Sequence, residues 1–451
     1  MGEILPIILA AGRGVRMASG VPKVLHKLLG RPILSYVIDA VRGLGLKRIY
    51  VVVGYKAEEV MKVFEQPEII FIEQRDQLGT GHALMCCKEI LSDVKGDILV
   101  LNGDTPLITQ NTLKRLIDIH KNEGPSITLV ISKVKQPGEY GLIIRDKEGR
   151  IKGIEEVTER NKTKQSKEIN AGIYCFKKDF LEKNIPLIPK NEKKGEYYLT
   201  DLIKIASEKG EKIAEIEAPF EEVIGINNRL DLAIATDILR KNILKGLMLQ
   251  GTTIIDPNST YVESGIKIGR DSILFPGVYL AGKTTIGENT ILEHGVVIRD
   301  SEIGNNVVIK AYSVITESIV EDNVKIGPFA HLRPGSHVAE EAKIGNFVEM
   351  KKSYIGRRSK ASHLTYLGDA QIGNDVNIGA GTITCNYDGK RKHKTIIKDR
   401  AFIGSNTAFI APICIGEEAT VGAGSVITED VPDKKLAIAR ARQVIKEKKK
   451  D

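Results

Sequence analysis

The sequence predicts two halves of different fold class: an α/β half, one long helix, and then an all-β half built as a parallel β-helix. The first half of the 451 residues alternates short apolar runs with amphipathic runs. Between Thr252 and Ile427 there are 25 Ile, 6 Leu and 20 Gly, and Ile favours strands whereas Leu favours helices. Aliphatic residues in that segment recur every six positions, which is typical of hexapeptide-repeat β-helices.

The first half is expected to hold a parallel sheet with helices on both faces, because strands and helices alternate. Residues 126–176 are richer in strand formers and predict hairpins that cover a substrate. Residues 228–249 contain few helix breakers and predict a single helix. We therefore predict domains over 1–227 and 251–451, joined by a linker helix over 228–250. The predicted strands cover 4–10, 48–53, 69–72 and 98–101, and the predicted helices cover 32–43, 58–64 and 81–91.

In the second half, three hexads make one triangular coil of 18 residues. The aliphatic residue of each hexad points inward, and the small residue that often follows lets the chain turn a corner. The repeat slips by one position after Ile298, and the polar, basic segment 385–394 interrupts it. This segment predicts a loop that is expelled from the coil. A solenoid of this kind can also be purely structural.

Composition excludes several classes of protein. No run approaches ~18 uninterrupted apolar residues, and the N-terminus lacks the segments of a signal peptide, so we expect no membrane insertion and a cytoplasmic location. The five Cys form no CxxC pair, which fits a reducing compartment and argues against structural zinc. The net charge of +8 comes without a basic and aromatic patch, which favours anionic small molecules over nucleic acid as partners.

A glycine-rich loop, LAAGRGVRM over 9–17, follows the first strand. Met17 stands where a dinucleotide fingerprint needs its third Gly, and no Walker A motif follows. Gly12 and Gly14 would let backbone N–H groups approach a phosphate, and Arg16 and Lys23 would add two cations. An ordinary basic surface loop explains the same residues equally well.

Two further turns are candidates for ligand binding. QLGTGHA over 77–83 could contact a base or ribose, or could be a helix start capped by Thr80. NGDTP over 102–106 places Asp104 at the end of a strand, where a carboxylate suits Mg²⁺. Thr105 and Pro106 could equally be the first residues of a helix.

These motifs, together with GEYYLTD over 195–201 and GINNR over 225–229, resemble the sugar-nucleotide pyrophosphorylases. The second half adds EMKK over 349–352, SHLTYLGD over 362–369 and NIGAGTITCNYDG over 377–389. With them, essentially the whole chain resembles the bifunctional bacterial enzymes of UDP-N-acetylglucosamine synthesis. The resemblance implies a Rossmann-like nucleotidyltransferase domain followed by a left-handed parallel β-helix.

For the first domain the resemblance implies transfer of a uridylyl group from UTP to N-acetylglucosamine 1-phosphate, with release of pyrophosphate. It implies that Arg16 and Lys23 hold the phosphates and act in catalysis, and that Asp104 and Asn227 hold Mg²⁺. Asn102 departs from the family, whose members often have Tyr there. The implied contacts to UTP and UDP-N-acetylglucosamine are Leu9, Ala10, Ala11, Gly12, Lys23, Gln74, Gly79, Thr80, Asn102, Gly103, Asp104, Gly141, Glu156, Asn170 and Asn227.

For the second domain it implies acetyl transfer from acetyl-CoA to glucosamine 1-phosphate, with His363 as general base and Glu349 orienting it. Donors near Asn386 and Ser405 would stabilise the oxyanion. The implied contacts to glucosamine 1-phosphate are Arg333, Lys351, Tyr366, Asn377 and Lys392. The implied contacts to acetyl-CoA are Ala380, Asn386, Tyr387, Ser405, Ala423 and Arg440.

Coil stacking supports part of this pocket independently, because residues 18 apart become neighbours at about 4.8 Å. Arg333 and Lys351 have this spacing, as do Ser405 and Ala423, and Tyr387 lies 18 positions before Ser405. Hexapeptide acyltransferases are usually trimers with sites between coils. We therefore expect a homotrimer in which the loop 385–394 reaches a neighbouring subunit.

Two rival functions remain open at this point. The chain could be a nucleotidyltransferase whose β-helix only oligomerises or regulates, which predicts no base and no basic wall in the coils. It could also be a non-catalytic assembly subunit of the same architecture, which predicts a degraded nucleotide loop. His363, Arg333 and Lys351 argue against the first rival, and Gly12, Lys23 and Asp104 argue against the second.

Overall fold

In a computed structural model, residues 4–93, 95–156 and 167–447 are described. The chain divides into two compact units, residues 1–239 and 240–451. The strands of the first unit are β1 (Ile4–Leu9), β2 (Lys27–Leu28), β3 (Arg31–Pro32), β4 (Ile49–Val53), β5 (Ile69–Glu73), β6 (Asp97–Asn102), β7 (Ile127–Lys133), β8 (Leu142–Arg145), β9 (Ile151–Glu155), β10 (Glu168–Phe176) and β11 (Ile213–Glu217). The helices are α1 (Ile33–Arg42), α2 (Ala57–Val63), α3 (Thr80–Met85), α4 (Lys88–Asp93), α5 (Gln110–Glu123), α6 (Lys178–Asn184), α7 (Asp201–Glu208) and α8 (Arg229–Leu249).

The main sheet of the first unit is mixed, not purely parallel. Its order is β11-β7-β10-β6-β1-β4-β5, with the β8–β9 hairpin beside β10. β10 is antiparallel to both β6 and β7. The parallel arrangement predicted for the first strands is confirmed, because β1 pairs in parallel with β4 and β6, and β4 with β5. β10 lies in the segment predicted to form hairpins, and it is antiparallel because it follows a hairpin instead of a crossover helix.

The side chains of the main sheet alternate between two apolar layers. Ile4 and Ile8 of β1 pack on one face, and Ile7 and Leu9 pack on the other. This alternation follows from the two-residue period of a strand. It makes β1, whose residues are all buried, a fixed support for the glycine-rich loop that follows it.

Most predicted elements of the first unit are confirmed to within a few residues. The predicted helix over 81–91 is instead two helices, α3 and α4, which are separated at Cys86 and Cys87. Thr105 begins no helix, since α5 starts at Gln110 and is capped by the Thr109 side chain. None of the helices in the described ranges is long and apolar enough to form a membrane span.

α8 is confirmed as one long helix. Ala235, near its start, packs with Met17, Leu28 and Ile226 of the first unit. Leu244, near its end, is buried in the core of the second unit. The apolar residues of α8 therefore contribute to both cores.

The second unit is confirmed as a β-helix of short parallel strands. They are β12 (Thr253–Ile254), β13 (Tyr261–Val262), β14 (Lys267–Ile268), β15 (Ile273–Leu274), β16 (Tyr279–Ala281), β17 (Thr285–Ile286), β18 (Ile291–Leu292), β19 (Val297–Arg299), β20 (Glu302–Ile303), β21 (Val308–Ile309), β22 (Val314–Thr316), β23 (Ile319–Val320), β24 (Lys325–Ile326), β25 (His331–Leu332), β26 (His337–Val338), β27 (Lys343–Asn346), β28 (Glu349–Lys351), β29 (Tyr354–Ile355), β30 (Lys360–His363), β31 (Tyr366–Gly368), β32 (Ala370–Ile372), β33 (Asn377–Ile378), β34 (Ile383–Cys385), β35 (Thr395–Ile397), β36 (Phe402–Ile403), β37 (Ala408–Ile410), β38 (Ile413–Ile415), β39 (Thr420–Val421), β40 (Val426–Ile427) and β41 (Leu436–Ala437).

These strands form three sheets, one for each side of a triangular left-handed coil. The first sheet contains β12 and every third strand to β39, followed by β41; the second runs from β13 to β40 and the third from β14 to β38. Each strand pairs in parallel with the strand one coil later, as Leu274 pairs with Leu292. The slip after Ile298 is confirmed, because Leu292 pairs with Ile309, one position short of 18. Further coils of 17 residues occur later, as where Ile344 pairs with Ala361.

The expelled loop is also confirmed. Ile378 pairs with Ile403 across the loop 385–394, 25 positions later instead of 18. Tyr387 lies in this loop, where it bridges to Lys392. The prediction that Tyr387 stacks one coil before Ser405 is therefore wrong. The C-terminal residues 434–447 contain the short strand β41, and residues 448–451 lie outside the described part.

Candidate functional site

The first candidate site is a cavity of about 420 Å³ at the carboxyl ends of β1 and β6. Leu9 pairs with Asn102 at the ends of these parallel strands, and the Gly103 N–H donates to the Leu9 carbonyl at 2.8 Å. Open α/β sheets bind ligands at this edge. The cavity, called here the nucleotide cavity, is lined by Leu9, Ala10, Ala11, Gly12, Arg13, Gly14, Val15, Lys23, Val24, Gln74, Gln77, Gly79, Thr80, Ala83, Asn102, Asp104 and Glu196.

Gly14 fixes the course of the glycine-rich loop. Its φ of +62° lies in the left-handed region, which other residues adopt only at a cost. A Cβ on Gly14 would stand 2.6 Å from the Cβ of Lys23. The missing side chain thus lets the loop pack closely against Lys23 at the edge of the nucleotide cavity.

Lys23 joins the two residues that the resemblance assigns to Mg²⁺. Its Nζ donates to the carboxylate of Asp104 and, at 3.3 Å, to Oδ1 of Asn227. The Lys23 and Asp104 side chains are only 14% and 19% exposed. The Ile226 N–H donates to the Asp104 carbonyl at 2.9 Å, which holds the segment of Asn227 beside Asp104. A cation therefore already lies between these two oxygen donors.

This donor set fits a magnesium ion that also binds substrate phosphates. A carboxylate and an amide oxygen are hard ligands, and Mg²⁺ commonly takes one or two carboxylates and completes its shell with phosphates and water. In the part of the chain that the structure describes, no group of three or more His, Cys, Asp or Glu could hold a metal. The residues present therefore suit a phosphate-dependent metal and not a protein-only cage.

Arg16 does not line the nucleotide cavity. Its guanidinium donates to the carboxylate of Glu139, and both side chains are more than half exposed. Glu139 precedes β8, in the segment that also carries Tyr140. The Tyr140 hydroxyl accepts from the Gly225 N–H at 3.1 Å, and burial raises the pKa of this tyrosine. This ion pair was not predictable from the sequence pattern, because its partners are 123 positions apart.

The far end of the nucleotide cavity is built from Gln74 and the 79–81 turn. Gln74 is buried, and its Nε2 donates to the Gly79 carbonyl at 3.1 Å. A Cβ on Gly79 would stand 2.6 Å from the Tyr197 carbonyl oxygen. The Thr80 hydroxyl accepts from the Leu199 N–H at 3.1 Å and does not cap α3, whose N-cap is Gly79. The segment 195–201, GEYYLTD, therefore holds this turn in place, and Glu196 of that segment lines the nucleotide cavity.

Three residues that the resemblance implies as contacts to UDP-N-acetylglucosamine, Gly141, Glu156 and Asn170, lie together but do not line the nucleotide cavity. The Asn170 N–H donates to the Gly141 carbonyl at 2.9 Å. A Cβ on Gly141 would stand 3.7 Å from Oε1 of Glu156. That same Oε1 accepts from the Thr200 hydroxyl at 2.8 Å. Gly141, Glu156 and Asn170 thus form one polar surface on β10 and the β8–β9 hairpin.

The second candidate site lies on the second sheet of the β-helix. Arg333 follows β25, and its N–H donates to the Met350 carbonyl at 2.9 Å, which places Arg333 beside Lys351. The expelled loop brings Lys392 to the same place: the Lys392 ammonium, and then Arg333, lower the pKa of Lys351. Arg333, Lys351 and Lys392 are called here the basic cluster.

Gly368 adjoins the basic cluster, because it is the next residue in the column of Lys351. A Cβ there would stand 2.4 Å from the Tyr366 hydroxyl and 2.8 Å from Nδ2 of Asn386. Asn386 in turn donates to Asp369 at 2.5 Å. The bare backbone at Gly368 therefore leaves the Tyr366 hydroxyl and the Asn386 amide directed to one point.

His363 ends β30 and is exposed. Its Nδ1 lies 2.5 Å from Oδ1 of Asn346, which ends β27 one coil earlier. Glu349, which we expected to orient His363, is instead bonded to Arg333 at 2.7 Å. Asn346 is thus a site residue that the sequence analysis missed, although a spacing of 17 positions in this β-helix could have identified it.

Three residues assigned to acetyl-CoA continue the column of His363. Ala361 pairs with Ile378, Ile378 with Ile403, and Ile403 with Val421. Two positions after each of these four paired residues, the chain carries His363, Ala380, Ser405 and Ala423 in turn. These four residues therefore lie in one column across successive coils. Asn406 and Gly424 donate to the carbonyls of Ala380 and Ser405, each at 2.7 Å. Ala380, Ser405 and Ala423 are called here the small-residue column.

Two further residues that the resemblance assigns to the acetyltransferase site, Arg440 and Asn377, lie beside the small-residue column. The Arg440 guanidinium donates to the Ala423 carbonyl at 2.6 Å, at the end of the small-residue column. Asn377 begins β33 and pairs with Lys360, three positions before His363. At about 4.8 Å per coil, the small-residue column extends about 14 Å from His363.

Comparison with known protein families agrees with both units. The nucleotidyl transferase family matches residues 5–222. The GMPPB C-terminal domain matches residues 249–360, and the hexapeptide repeat of succinyl-transferase matches residues 394–429. The first match contains the whole nucleotide cavity but not Asn227, and the other two matches lie in the second unit.

Curated relatives match over nearly the full length of the chain. A protein of Geotalea daltonii is 48% identical over 450 residues, with 99% of this chain and 98% of the relative covered. One from Geotalea uraniireducens is 47% identical with the same coverage. One from Clostridioides difficile is 47% identical over 443 residues, with 98% and 96% covered. All three bear the name bifunctional protein GlmU.

Proposed function

Since the chain belongs to the family of bifunctional GlmU proteins, we propose that it makes UDP-N-acetylglucosamine in two steps. The β-helix transfers the acetyl group of acetyl-CoA to glucosamine 1-phosphate. The first unit then transfers the uridylyl group of UTP to the resulting N-acetylglucosamine 1-phosphate and releases pyrophosphate. Each step has its own candidate site in the chain.

The observation that carries the uridylyl transfer is the contact of Lys23 with Asp104 and Asn227 beside the glycine-rich loop. A phosphate oxygen of the sugar phosphate attacks the α-phosphorus of UTP, and pyrophosphate leaves on the opposite side. No protein nucleophile is needed, so positioning and neutralisation of charge supply the rate. Lys23 offers a point charge, and Gly12 and Gly14 leave backbone N–H groups accessible to the phosphates.

Asp104 and Asn227 would hold Mg²⁺. When bound, the ion would neutralise phosphate charge. Arg16 would leave Glu139 and bind the polyphosphate, which is the stronger anion. Gln74, Gly79 and Thr80 would contact the uracil, and Gly141, Glu156 and Asn170 the sugar. Asn102, whose Nδ2 lies against Gly172 of β10, lines the nucleotide cavity and would contact the nucleotide.

The observation that carries the acetyl transfer is the small-residue column, which continues from His363 for three coils. Residues without large side chains leave room for the pantetheine arm of coenzyme A along the coil. Nε2 of His363 takes a proton from the 2-amino group, the nitrogen attacks the thioester carbonyl, and the C–S bond breaks. The thiolate of coenzyme A leaves and is protonated.

The basic cluster would bind the phosphate of glucosamine 1-phosphate. Three cations within reach of one another repel in the free protein, which is the cause of the lowered pKa of Lys351. A phosphomonoester between them would remove this repulsion. Tyr366 and Asn377 would contact the sugar. Asn386, Tyr387 and Arg440 would contact coenzyme A, and the Asn386 amide together with Ser405 would stabilise the oxyanion.

We propose that the protein acts as a homotrimer in the cytoplasm, with the loop 385–394 completing the acetyltransferase site of a neighbouring subunit. Tyr387 is exposed at the tip of this loop, and its position away from the stack suits a contact to another chain. All five cysteines are free, as expected where thiols stay reduced.

Separate assays of the two half-reactions test the proposal. Release of pyrophosphate from UTP and N-acetylglucosamine 1-phosphate should need Mg²⁺ and no acetyl-CoA. Release of coenzyme A thiol should need glucosamine 1-phosphate and no UTP. Uridylyl transfer without acetyl transfer would favour a single-activity nucleotidyltransferase, and failure of both would favour the assembly subunit.

A further inference from the structure

Asn346 and His363 are neighbours at the ends of two unusually long strands of the first sheet. β27 and β30 each span four residues, and Asn346 pairs directly with His363. A Cβ on Gly345 would stand 1.8 Å from the Ser362 carbonyl oxygen. Only glycine permits the two coils to approach so closely here. The close approach brings the two side chains to a distance of 2.5 Å between Asn346 Oδ1 and His363 Nδ1.

This contact determines where the imidazole carries its proton. The Oδ1 atom of an amide can only accept a hydrogen bond, so Nδ1 of His363 must be the donor. A neutral imidazole that is protonated on Nδ1 keeps its lone pair on Nε2. Nε2, which Asn346 does not contact, is therefore the nitrogen that can accept the proton of the substrate amine.

The partner of His363 is a neutral group. Within the described ranges, no carboxylate is hydrogen-bonded to the His363 side chain. Glu349, on the next side of the coil, is committed to Arg333 at 2.7 Å. A carboxylate partner would favour the charged imidazolium, whereas an amide orients the ring without adding charge. The register places Ala380 in the following coil at the position of His363, so no charge from that column acts on the ring.

We propose that Asn346 is a positioning residue for the acetyl transfer: it holds His363 in the Nδ1-protonated tautomer with Nε2 directed to the substrate amine. This inference rests on the proposed role of His363 as general base. It assigns to the protein a histidine–amide pair in which the amide replaces the carboxylate of more familiar catalytic arrangements. Asn346 itself touches no reacting atom.

Two variants test this role. Asn346→Leu removes the acceptor at similar volume, and kcat for acetyl transfer should fall about 10²-fold, at the lower end of what general base catalysis contributes. The KM for glucosamine 1-phosphate should change less than about threefold, since the basic cluster is intact. Uridylyl transfer by the same molecule should be unchanged, which shows that the effect is confined to the β-helix.

Asn346→Asp keeps the shape and the acceptor but adds a charge. It should retain much more activity than Asn346→Leu at high pH, and the acid limb of its kcat/KM profile should move to higher pH by about one unit. This shift would show that the side chain at position 346 contacts the group whose protonation limits acetyl transfer. The measurement is the pH profile of coenzyme A release for the wild type and both variants.

The outcomes separate this inference from the proposed function. If wild-type protein shows no acetyl transfer, or if His363→Ala retains it, the function of the site is wrong. If His363→Ala is inactive but Asn346→Leu keeps kcat within about threefold, the positioning role is overturned. If Asn346→Leu fails to fold, an Asn346→Asp profile identical to that of the wild type overturns it instead.

Discussion

Lys23 and Asp104 are hydrogen-bonded across the nucleotide cavity, although 81 positions separate them in the sequence. Lys23 follows the glycine-rich loop after β1, and Asp104 follows β6. The two strands are parallel neighbours, so the sheet itself brings the pair together. The largely buried ammonium occupies the position next to Asp104 and Asn227 that a metal ion would take, which makes the site sensitive to the loss of either charge.

Asp104→Ala should reduce uridylyl transfer by about 10²-fold or more, because it removes the proposed metal ligand and leaves the Lys23 ammonium without its carboxylate. Acetyl transfer, whose site is in the other unit, should remain. The measurement is pyrophosphate release at limiting Mg²⁺. The matched control is Asp179→Ala, an exposed carboxylate in α6, which should behave as the wild type; full activity of Asp104→Ala would refute its role.

Gly14→Ala should lower kcat/KM for UTP by about tenfold or more, since small displacements of positioning groups are costly. The new Cβ would meet the Lys23 side chain at 2.6 Å, and φ is +62° at this position. Gly20→Ala in the same loop is the control, because a Cβ there would have no atom within 4 Å and φ is not positive. Equal activity of the two variants in the pyrophosphate assay would mean that the loop tolerates displacement of Lys23.

Lys392→Met should raise the KM for glucosamine 1-phosphate and at the same time stabilise the unliganded β-helix near neutral pH. The folded state depresses the pKa of Lys351 through Lys392, so charged Lys351 costs stability in full below that depressed pKa. The cost decreases as pH rises above the depressed pKa and ends above the pKa of a lysine in the unfolded chain. Thermal unfolding at pH 7 and at a pH above the ordinary lysine pKa of about 10.4 measures this.

The matched control for that experiment is Lys283→Met, an exposed lysine far along the coil. Inorganic phosphate should raise the Tm of the wild type more than that of Lys392→Met, because it relieves the repulsion in the basic cluster. An equal Tm increase in both proteins would indicate that Lys392 does not contribute to an anion site.

A fragment that ends at Gln250 should retain uridylyl transfer, because the nucleotide cavity lies wholly within the first unit. Leu244 and Leu247 belong to the core of the second unit, so this fragment exposes them and should aggregate. Replacing both with Ser should restore a monodisperse fragment with unchanged kcat. Gel filtration and the pyrophosphate assay measure the two effects, and an inactive but monodisperse fragment would show that the units depend on each other.

The β-helix was predictable because its repeat is local. The aliphatic residues that recur every six positions, such as Leu274, Leu280 and Ile286, are buried in the core of the coil, as the period predicts. The interruption at 385–394 forms a loop. The nucleotide cavity was also predictable in part, since Gly12, Lys23 and Asp104 follow strands whose carboxyl ends meet. These features depend on short stretches of sequence and on simple geometry.

The rest depends on contacts between distant segments. The antiparallel direction of β10 follows from the preceding hairpin, and the amphipathic pattern alone does not reveal it. The pairing of Arg16 with Glu139 and of Glu349 with Arg333 depends on side-chain conformations, which the spacing of residues does not determine. Asn346 was not predicted because a coil was expected to contain 18 residues, whereas the coil that joins Asn346 to His363 contains 17.

The most direct test of the account is a single reaction that contains glucosamine 1-phosphate, acetyl-CoA, UTP and Mg²⁺, with the products identified by mass. The wild type should form UDP-N-acetylglucosamine and equal amounts of free coenzyme A. His363→Ala should form neither until N-acetylglucosamine 1-phosphate is supplied, and then UDP-N-acetylglucosamine at the wild-type rate. If the wild type also needs N-acetylglucosamine 1-phosphate before any nucleotide sugar appears, the β-helix is not an acetyltransferase and the account is contradicted.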